Sequence, residues 1–300
     1  MRVTSNMSAN NSLYNIQQGQ ARLDKLQELT STGFIVNRPS DDPINSRLLL
    51  DIGDKIKTGD QYLSNIQKSS SWQQFTNTAL TGMADVMRLA KQQVATISSG
   101  SSDATVRQNA VSQLQSLKQQ MVDMGNMKLG DQYLFGGALN SDAPFSGTAP
   151  YYTGDETALK VEIGAGTTLT MNLPGNQLLT ADTAASQPYG TTNIFKAFDD
   201  LITAVDNNDV AGITAGSLTL ASGAQQINNA QSDVAARLSR LDTMTKLNQN
   251  ARNTLETIYG NTQNVDYAKL AVQLSQQKTA FEASLSSTAK LSQLSLLNYL

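Results

Sequence analysis

The sequence contains no cysteine and no histidine among its 300 residues. A chain without cysteine forms no disulfide and offers no thiolate. A chain without histidine lacks the side chain that most often acts as a general base or metal ligand near neutral pH. Most hydrolase and transferase mechanisms use one of these groups. The composition therefore predicts a protein that is not an enzyme, with no catalytic residue, no cofactor and no bound metal.

Aromatic residues are also few, and the net charge is small. Phe, Trp and Tyr make up 6% of the chain, and 22 basic residues stand against 25 acidic ones, which argues against a nucleic-acid surface. No apolar run approaches the ~18 residues that a membrane-spanning helix needs. Residues 1–6 lack the apolar core of a signal peptide. We expect no membrane span, and a protein that is either cytosolic or exported without a cleaved signal peptide.

The C-terminal stretch 266–300 is the most informative part of the chain. Leu270, Leu274, Phe281 and Leu285 recur at steps that place them on one face of a helix. The apolar residues at the extreme end that complete the predicted surface are Leu296, Leu297, Tyr299 and Leu300. An exposed apolar stripe requires a partner. The tail is therefore predicted to be an assembly surface that contacts another helix.

The N-terminal stretch 6–30 offers such a helix. Its apolar stripe consists of Leu13, Ile16, Leu23 and Leu26, followed by Leu29. An isolated helix of this kind is marginal in water and depends on packing for its stability. We predict that this helix pairs with the stripe of the tail in the same subunit. The last residues of the tail are then the better candidates for contacts with neighbouring subunits.

A break after the first helix contains the string Arg38-Pro39-Ser40-Asp41-Asp42-Pro43. Proline suits the first position of a helix, and the residue before it avoids helical geometry. Asp42 is therefore predicted to cap a helix that begins at Pro43, and Asp41 adds favourable charge at the positive end of its dipole. Paired aspartates are also typical of metal sites, but the helix start explains both without a metal.

The middle of the chain predicts helices around a β-rich insert. Apolar periodicity predicts helices over 43–97, 106–124, 193–207 and 217–260, and alternation predicts a β-hairpin over 159–173. The fold class is therefore mainly α: a long antiparallel coiled-coil rod with a small inserted β-rich domain and the terminal helices paired at one end. The predicted domains are a terminal assembly region (1–35 with 265–300), a central helical region (36–130 with 191–264) and a solvated outer insert (131–190).

Two local features leave alternatives open or mislead. Asn248 interrupts the stripe of the helix over 217–260, where it either fixes the register of a seam or lies at its wet edge. Ser287-Thr288-Ala289-Lys290 and Lys57-Thr58-Gly59 match two motifs of penicillin-recognising enzymes. Their order in the chain is reversed and no Ser-Asp-Asn triplet exists, so we reject the enzyme.

Five strings in the outer parts of the chain carry a family resemblance, and they lie at 33–43, 130–137, 143–145, 266–268 and 295–300. They resemble the flagellin family of bacterial flagellar axial proteins, and within it the junction proteins between hook and filament. Filament flagellin usually has alanine after the paired aspartates, whereas Pro43 follows them here. Residues 146–190 contain no matching string.

The resemblance implies an extracellular structural subunit of the flagellum with no catalysis. It implies export through the flagellar type III apparatus and a place in an adaptor ring. The implied partners are other copies of the chain, the first hook–filament junction protein, flagellin and an export chaperone. Filament flagellin is the near alternative. A coiled-coil signalling or receptor rod is the alternative of another class, but that class favours a membrane span or long unbroken heptads.

Overall fold

Helices make up most of the chain, which confirms the mainly α prediction. The computed structural model describes residues 5–98, 103–146, 151–181 and 187–297. The helices are α1 (Ser5–Thr32), α2 (Pro43–Ser98), α3 (Ala104–Gly125), α4 (Ile194–Asp206), α5 (Val210–Gln263) and α6 (Tyr267–Leu297). The strands are β1 (Lys128–Leu129), β2 (Gln132–Tyr133), β3 (Phe145–Ser146), β4 (Tyr151–Tyr152), β5 (Lys160–Gly164) and β6 (Thr167–Thr170), with a short 3-10 helix at Gly175–Gln177.

Helix α5 continues beyond the predicted end at Gly260 and finishes at Gln263. A glycine inside a helix costs about 1 kcal/mol relative to alanine, which is too little to end a long packed helix. The backbone N–H of Asn264 still donates to the carbonyl of Gly260 at 2.8 Å. The chain turns only before Asp266, whose carboxylate caps α6 by accepting from the backbone N–H of Ala268 at 3.0 Å.

The chain divides into two compact units. One contains residues 1–58 and 251–300, and the other contains residues 59–250. Helices α2 and α5 therefore contribute residues to both units. In the first unit α1 packs along α6, which confirms the predicted pairing of the terminal helices.

The second unit has a continuous apolar core formed by α2, α3, α4 and α5. The stripe predicted for α3 lies in this core, where Leu114, Leu117 and Met121 are all buried. Met124, at the end of that stripe, packs against Gly82 of α2, and a Cβ there would lie 3.0 Å from the Met124 sulfur. The periodicity of α3 therefore identified the face that packs into this core.

The segment between α3 and α4 forms three two-stranded antiparallel sheets, β1–β2, β3–β4 and β5–β6. The β5–β6 hairpin falls inside the predicted range 159–173, with Lys160 opposite Thr170 and Val161 opposite Leu169. Gly166 supplies the positive φ of +65° that the tight connection requires.

This segment packs into the helical core, which differs from the predicted solvated outer face. The Phe145 ring lies 5.3 Å from that of Phe195 in α4, centroid to centroid. Phe135 and Leu179 are also buried in the cluster shared with the helices. Two-stranded sheets are marginal alone and need packing against a helix. The segment's apolar residues therefore pack inward, while charged residues such as Glu156 and Lys160 stay exposed.

Polar side chains of the long helices bind the backbone of the same segment. Gln73 of α2 donates to the carbonyl of Met171 at 2.9 Å, and Arg237 of α5 donates to the carbonyl of Asn172 at 3.1 Å. Asn248 is half-buried and donates to the carbonyl of Ile163 at 3.2 Å. Asn248 therefore neither fixes a helical seam nor lies free at its wet edge, because its amide holds the hairpin on α5.

Candidate assembly interface

Helices α1 and α6 run antiparallel, and Phe281 of α6 packs directly over Gly19 of α1. A Cβ at Gly19 would lie 3.1 Å from Cδ2 of Phe281, so the ring covers a position with no side chain. The side-chain amide of Gln277 donates to the Gly19 carbonyl at 3.2 Å. The stripe argument predicted Phe281 but missed Gly19 and Gln277. A glycine inside a predicted helix was the available signal for such an approach.

The predicted apolar stripes face each other, but the pair buries little. Leu270 is 4% exposed and is the only fully buried residue among the described side chains of α1 and α6. Predicted stripe residues that are half-buried are Ile16, Leu23, Leu26, Leu274 and Phe281. Leu13 is 59% exposed and Leu285 is 42% exposed. One helix therefore covers only part of the apolar surface of the other.

The last predicted interface residues lie at or beyond the limit of the described chain. Leu296 and Leu297 belong to α6, whose described part ends there, but the surroundings of their side chains are not described. Tyr299 and Leu300 lie outside the described residues. Other exposed apolar residues on the pair are Met7, Tyr14, Tyr267 and Val272.

The ends of α1 and α5 are joined by a short antiparallel bridge between Phe34 and Asn264. The backbone N–H of Ile35 donates to the carbonyl of Gln263 at 2.7 Å, and that of Val265 donates to the carbonyl of Gly33 at 3.0 Å. Gly33 has φ +74°, and a Cβ there would lie 2.6 Å from the Tyr267 hydroxyl. The positive φ favours glycine at this position, and a side chain there would also displace the Tyr267 hydroxyl.

Helix α2 begins at Pro43, as predicted, and Asp42 caps it. The Asp42 Oδ1 atom accepts from the backbone N–H of Ile44 at 3.1 Å and from that of Asn45 at 3.0 Å. These bonds satisfy donors that have no partner inside the helix.

Asp41 ties the break to α1. Its Oδ2 atom accepts from the backbone N–H of Arg38 at 3.1 Å, and its Oδ1 atom lies 3.0 Å from the Lys25 Nζ atom. The hydrogen bond from Lys25 lowers the pKa of the Asp41 carboxyl, and the same bond raises the pKa of Lys25. Arg38 is exposed and lies 3.5 Å from Glu28, and Pro39 is exposed. The role of Lys25 is visible only in the structure.

The described residues contain no group of three or more potential metal-ligating side chains. Within the same residues, no helix is long and apolar enough to cross a membrane. The groove between α1 and α6 has a volume of about 500 Å³ and is lined by Arg22, Lys25, Leu26, Gln273, Gln276, Gln277 and Ala280. The lining therefore consists of two basic, three amide and two aliphatic side chains, with no acidic residue among them.

Comparison with known proteins agrees with this architecture. A family model described as the bacterial flagellin N-terminal helical region matches residues 3–138. Flagellar hook-associated protein 3 of Salmonella typhimurium is 23% identical over 300 residues, which cover 95% of each chain. The protein of the same name from Escherichia coli is 25% identical over 234 residues, covering 76% of this chain and 74% of its own.

The fold of this chain also matches a solved structure. A candidate flagellar hook-associated protein from Vibrio parahaemolyticus superposes with a TM-score of 0.67 at 20% identity. The match covers 75% of this chain and all of that one. At this identity the match establishes the shared fold.

Proposed function

We propose that this chain is a structural subunit of the bacterial flagellum. Copies of it would form an adaptor ring that joins the hook to the flagellin filament. Both curated relatives reported above are named hook-associated protein 3, and one spans almost the whole chain. Filament flagellin would share the N-terminal helical region but not that name. The similarity therefore supports the junction protein over its filament neighbour.

The assembly surface of the proposed ring subunit is the pair of α1 and α6. The observation that carries this assignment is the incomplete burial of the paired stripes. Leu13 stays 59% exposed and Leu285 stays 42% exposed after the helices have packed on each other. Exposed apolar residues on a thin two-helix pair are stabilised when other helices cover them. We propose that neighbouring subunits provide those helices, with Leu296, Leu297, Tyr299 and Leu300 at the contact.

The wider setting follows from the same proposal. The chain would be exported to the outside of the cell as part of the flagellum, through the flagellar type III apparatus and with no cleaved signal peptide. Its partners would be other copies of itself, the first hook–filament junction protein, flagellin and an export chaperone. Residues 1–35 with 265–300 would serve assembly, and 36–130 with 191–264 would form the helical body. Residues 131–190 would pack on that body through their apolar side chains and direct their charged side chains outward. The chain would catalyse no reaction.

A coiled-coil signalling rod is the alternative of another class. The helices of the second unit enclose a packed core together with the segment between α3 and α4, so they are not an extended two-stranded coil. This packing favours the flagellar proposal.

Electron microscopy of cells that lack the gene tests the proposed function. We expect hooks without filaments and flagellin shed into the medium, with both defects reversed when the gene is restored. Normal filaments on the mutant cells would refute the proposal. The purified protein provides a second test, because filament flagellin polymerises alone when seeded or salted out. Long filaments formed by this chain alone would identify it as flagellin.

A further inference from the structure

Two grooves in the unit 59–250 carry opposite charge. The acidic groove lies between α4 and α5, has a volume of about 340 Å³, and is lined by Asp200 and Asp209 with no basic residue. The basic groove lies between α2 and α5, has a volume of about 410 Å³, and is lined by Arg88 and Lys91 with no acidic residue. Neither groove belongs to the terminal-helix pair discussed above.

The floor of the acidic groove is made of small residues. A Cβ at Gly216 would lie 2.8 Å from Cδ1 of Leu201, and one at Gly212 would lie 2.9 Å from the Cβ of Ala204. Glycine therefore lets α5 approach α4 closely, and no large side chain fills the groove. A lysine or arginine side chain can lay its aliphatic stem on such a floor and keep its charge at the rim.

The charges at the two grooves are available for a partner. Lys91 and Asp209 are exposed, and neither forms an ion pair with any residue in the described part of the chain. Arg88 lies 3.3 Å from Asp85, and Asp200 lies 2.8 Å from Lys196. Those two pairs are exposed and within one helix, so each contributes little and can be exchanged. Each groove therefore presents one unpaired charge and one weakly paired charge of the same sign.

The two grooves lie on nearly opposite sides of α5. The α5 residues in the acidic groove lie between Gly212 and Thr219, and those in the basic groove are Ala224 and Asn228. At 3.6 residues per turn the two sets point about 150° apart. A two-fold dimer uses one self-complementary patch on both subunits. Complementary patches on opposite sides instead fit a head-to-tail contact, which closes into a ring or continues as a helix.

We propose that the basic groove of one copy docks against the acidic groove of the next copy, with Lys91 pairing with Asp209 across the contact. This inference rests on the proposed function, which places copies side by side around an axis. Ion pairs between exposed residues such as Lys91 and Asp209 are screened by salt. The contact between two copies is therefore weak in free solution. The terminal-helix pair would bring the copies together, and the grooves would set their lateral register.

Cysteine cross-linking in assembled flagella tests the contact, because the chain has no cysteine of its own. The double variant Lys91→Cys with Asp209→Cys replaces the chromosomal copy, and isolated flagella are treated with a short bismaleimide. We expect a ladder of dimers, trimers and larger species. Each single variant should remain monomeric, because its cysteine has no cysteine opposite. A matched control is Lys68→Cys with Asp123→Cys, two exposed positions outside both grooves, which should give no ladder.

Charge-reversal variants provide a second test of the contact between the two grooves. Lys91→Glu should weaken assembly through repulsion by Asp209, and adding Asp209→Lys should restore it, whereas adding Asp123→Lys should not. Circular dichroism of each purified variant checks that it folds. Cysteine variants that enter flagella without a ladder, or folded charge variants without rescue, would overturn the lateral contact and leave the junction function standing. Absence of the unmodified chain from flagella would refute the proposed function itself.

Discussion

The Phe281 ring of α6 lies over Gly19 of α1, where an added Cβ would come within 3.1 Å of it. The neighbouring Gln277 amide donates to the Gly19 carbonyl at 3.2 Å. Two contacts therefore fix how far one helix can slide along the other. One is the packing of the Phe281 ring over the Gly19 backbone, and the other is the hydrogen bond from Gln277, one turn away. The register of the terminal pair is therefore set near its middle by one glycine.

Substitution Gly19→Leu should separate the terminal helices. The branched side chain would occupy the space of the Phe281 ring, and the backbone of both helices would have to move apart. We expect the variant to be exported but absent from isolated flagella, as measured by immunoblotting. Gly59→Leu is the matched control, because nothing lies within 4 Å of a Cβ added there. The control should assemble normally and gain up to roughly 1 kcal/mol in helix propensity. Normal incorporation of Gly19→Leu would contradict the register role.

Substitution Phe281→Asp should abolish incorporation between hook and filament while leaving folding of the unit 59–250 and secretion intact. A carboxylate facing α1 would lose its hydration without gaining a partner. The measurement is filament formation by electron microscopy, with secreted protein quantified in the medium. Ala283→Asp, two positions away on the exposed side, is the matched control and should support filaments. If Phe281→Asp cells carried normal filaments, the terminal pair would not be an assembly surface.

Loss of the cap on α2 should lower stability by about 1 kcal/mol. Asp42 accepts two backbone N–H groups at the start of the helix, and replacing such a cap by alanine costs roughly 0.5–2 kcal/mol. Thermal and urea unfolding of Asp42→Ala measure the change. Asp42→Asn, which keeps the accepting oxygen, should retain most of the stability. Equal destabilisation of both variants would indicate that charge, and not capping, is what Asp42 contributes.

The contact between Lys25 and Asp41 predicts a pH dependence with a defined sign. The pKa of Asp41 is lowered in the folded chain. Its contribution to the free energy of unfolding is therefore fully present above the unfolded pKa of about 3.9, and it is lost as the pH falls through the folded pKa. The pKa of Lys25 is raised in the folded chain. Its contribution to the free energy of unfolding is therefore fully present below the unfolded pKa of about 10.4, and it is lost as the pH rises through the folded pKa.

NMR measures the acidic side of this dependence. The amides of Asn37 and Arg38, which donate to Asp41, should lose protection from exchange below about pH 4, after correction for intrinsic rates. Asp41→Asn should remove this acid-dependent loss. Protection that persists unchanged at pH 2 would show that the Asp41 carboxylate does not stabilise the segment between α1 and α2.

Amide exchange in the free protein should separate the two kinds of helix. We expect fast exchange over 1–35 and 265–300 and slow exchange over 83–125. Among the described side chains of the terminal pair, only Leu270 is buried, whereas the slow range contributes many residues to the main core. Local opening is easiest where few apolar contacts are broken. Slow exchange throughout α1 and α6 in the monomer would contradict the view that the terminal pair is completed only on assembly.

Local chemistry in the sequence determined much of this protein. Apolar spacing identified the helices and their packing faces, because a stripe repeats with the helical period wherever the helix lies in the chain. The start of α2 was also predictable, because Asp42 and Pro43 act on the next three or four residues. The β5–β6 hairpin followed from alternation and a glycine turn for the same reason.

Only the tertiary structure decided which residues meet. Gln277 and Gly19 are 258 positions apart, and nothing in the local pattern of either helix specifies the other. Phe145 was expected in a solvated insert but lies in the helical core beside Phe195, because short strands must bury their apolar side on something larger. The periodicity of a helix specifies a face but not its partner, its register or the depth of its burial. Those three depend on how distant segments fit together in space.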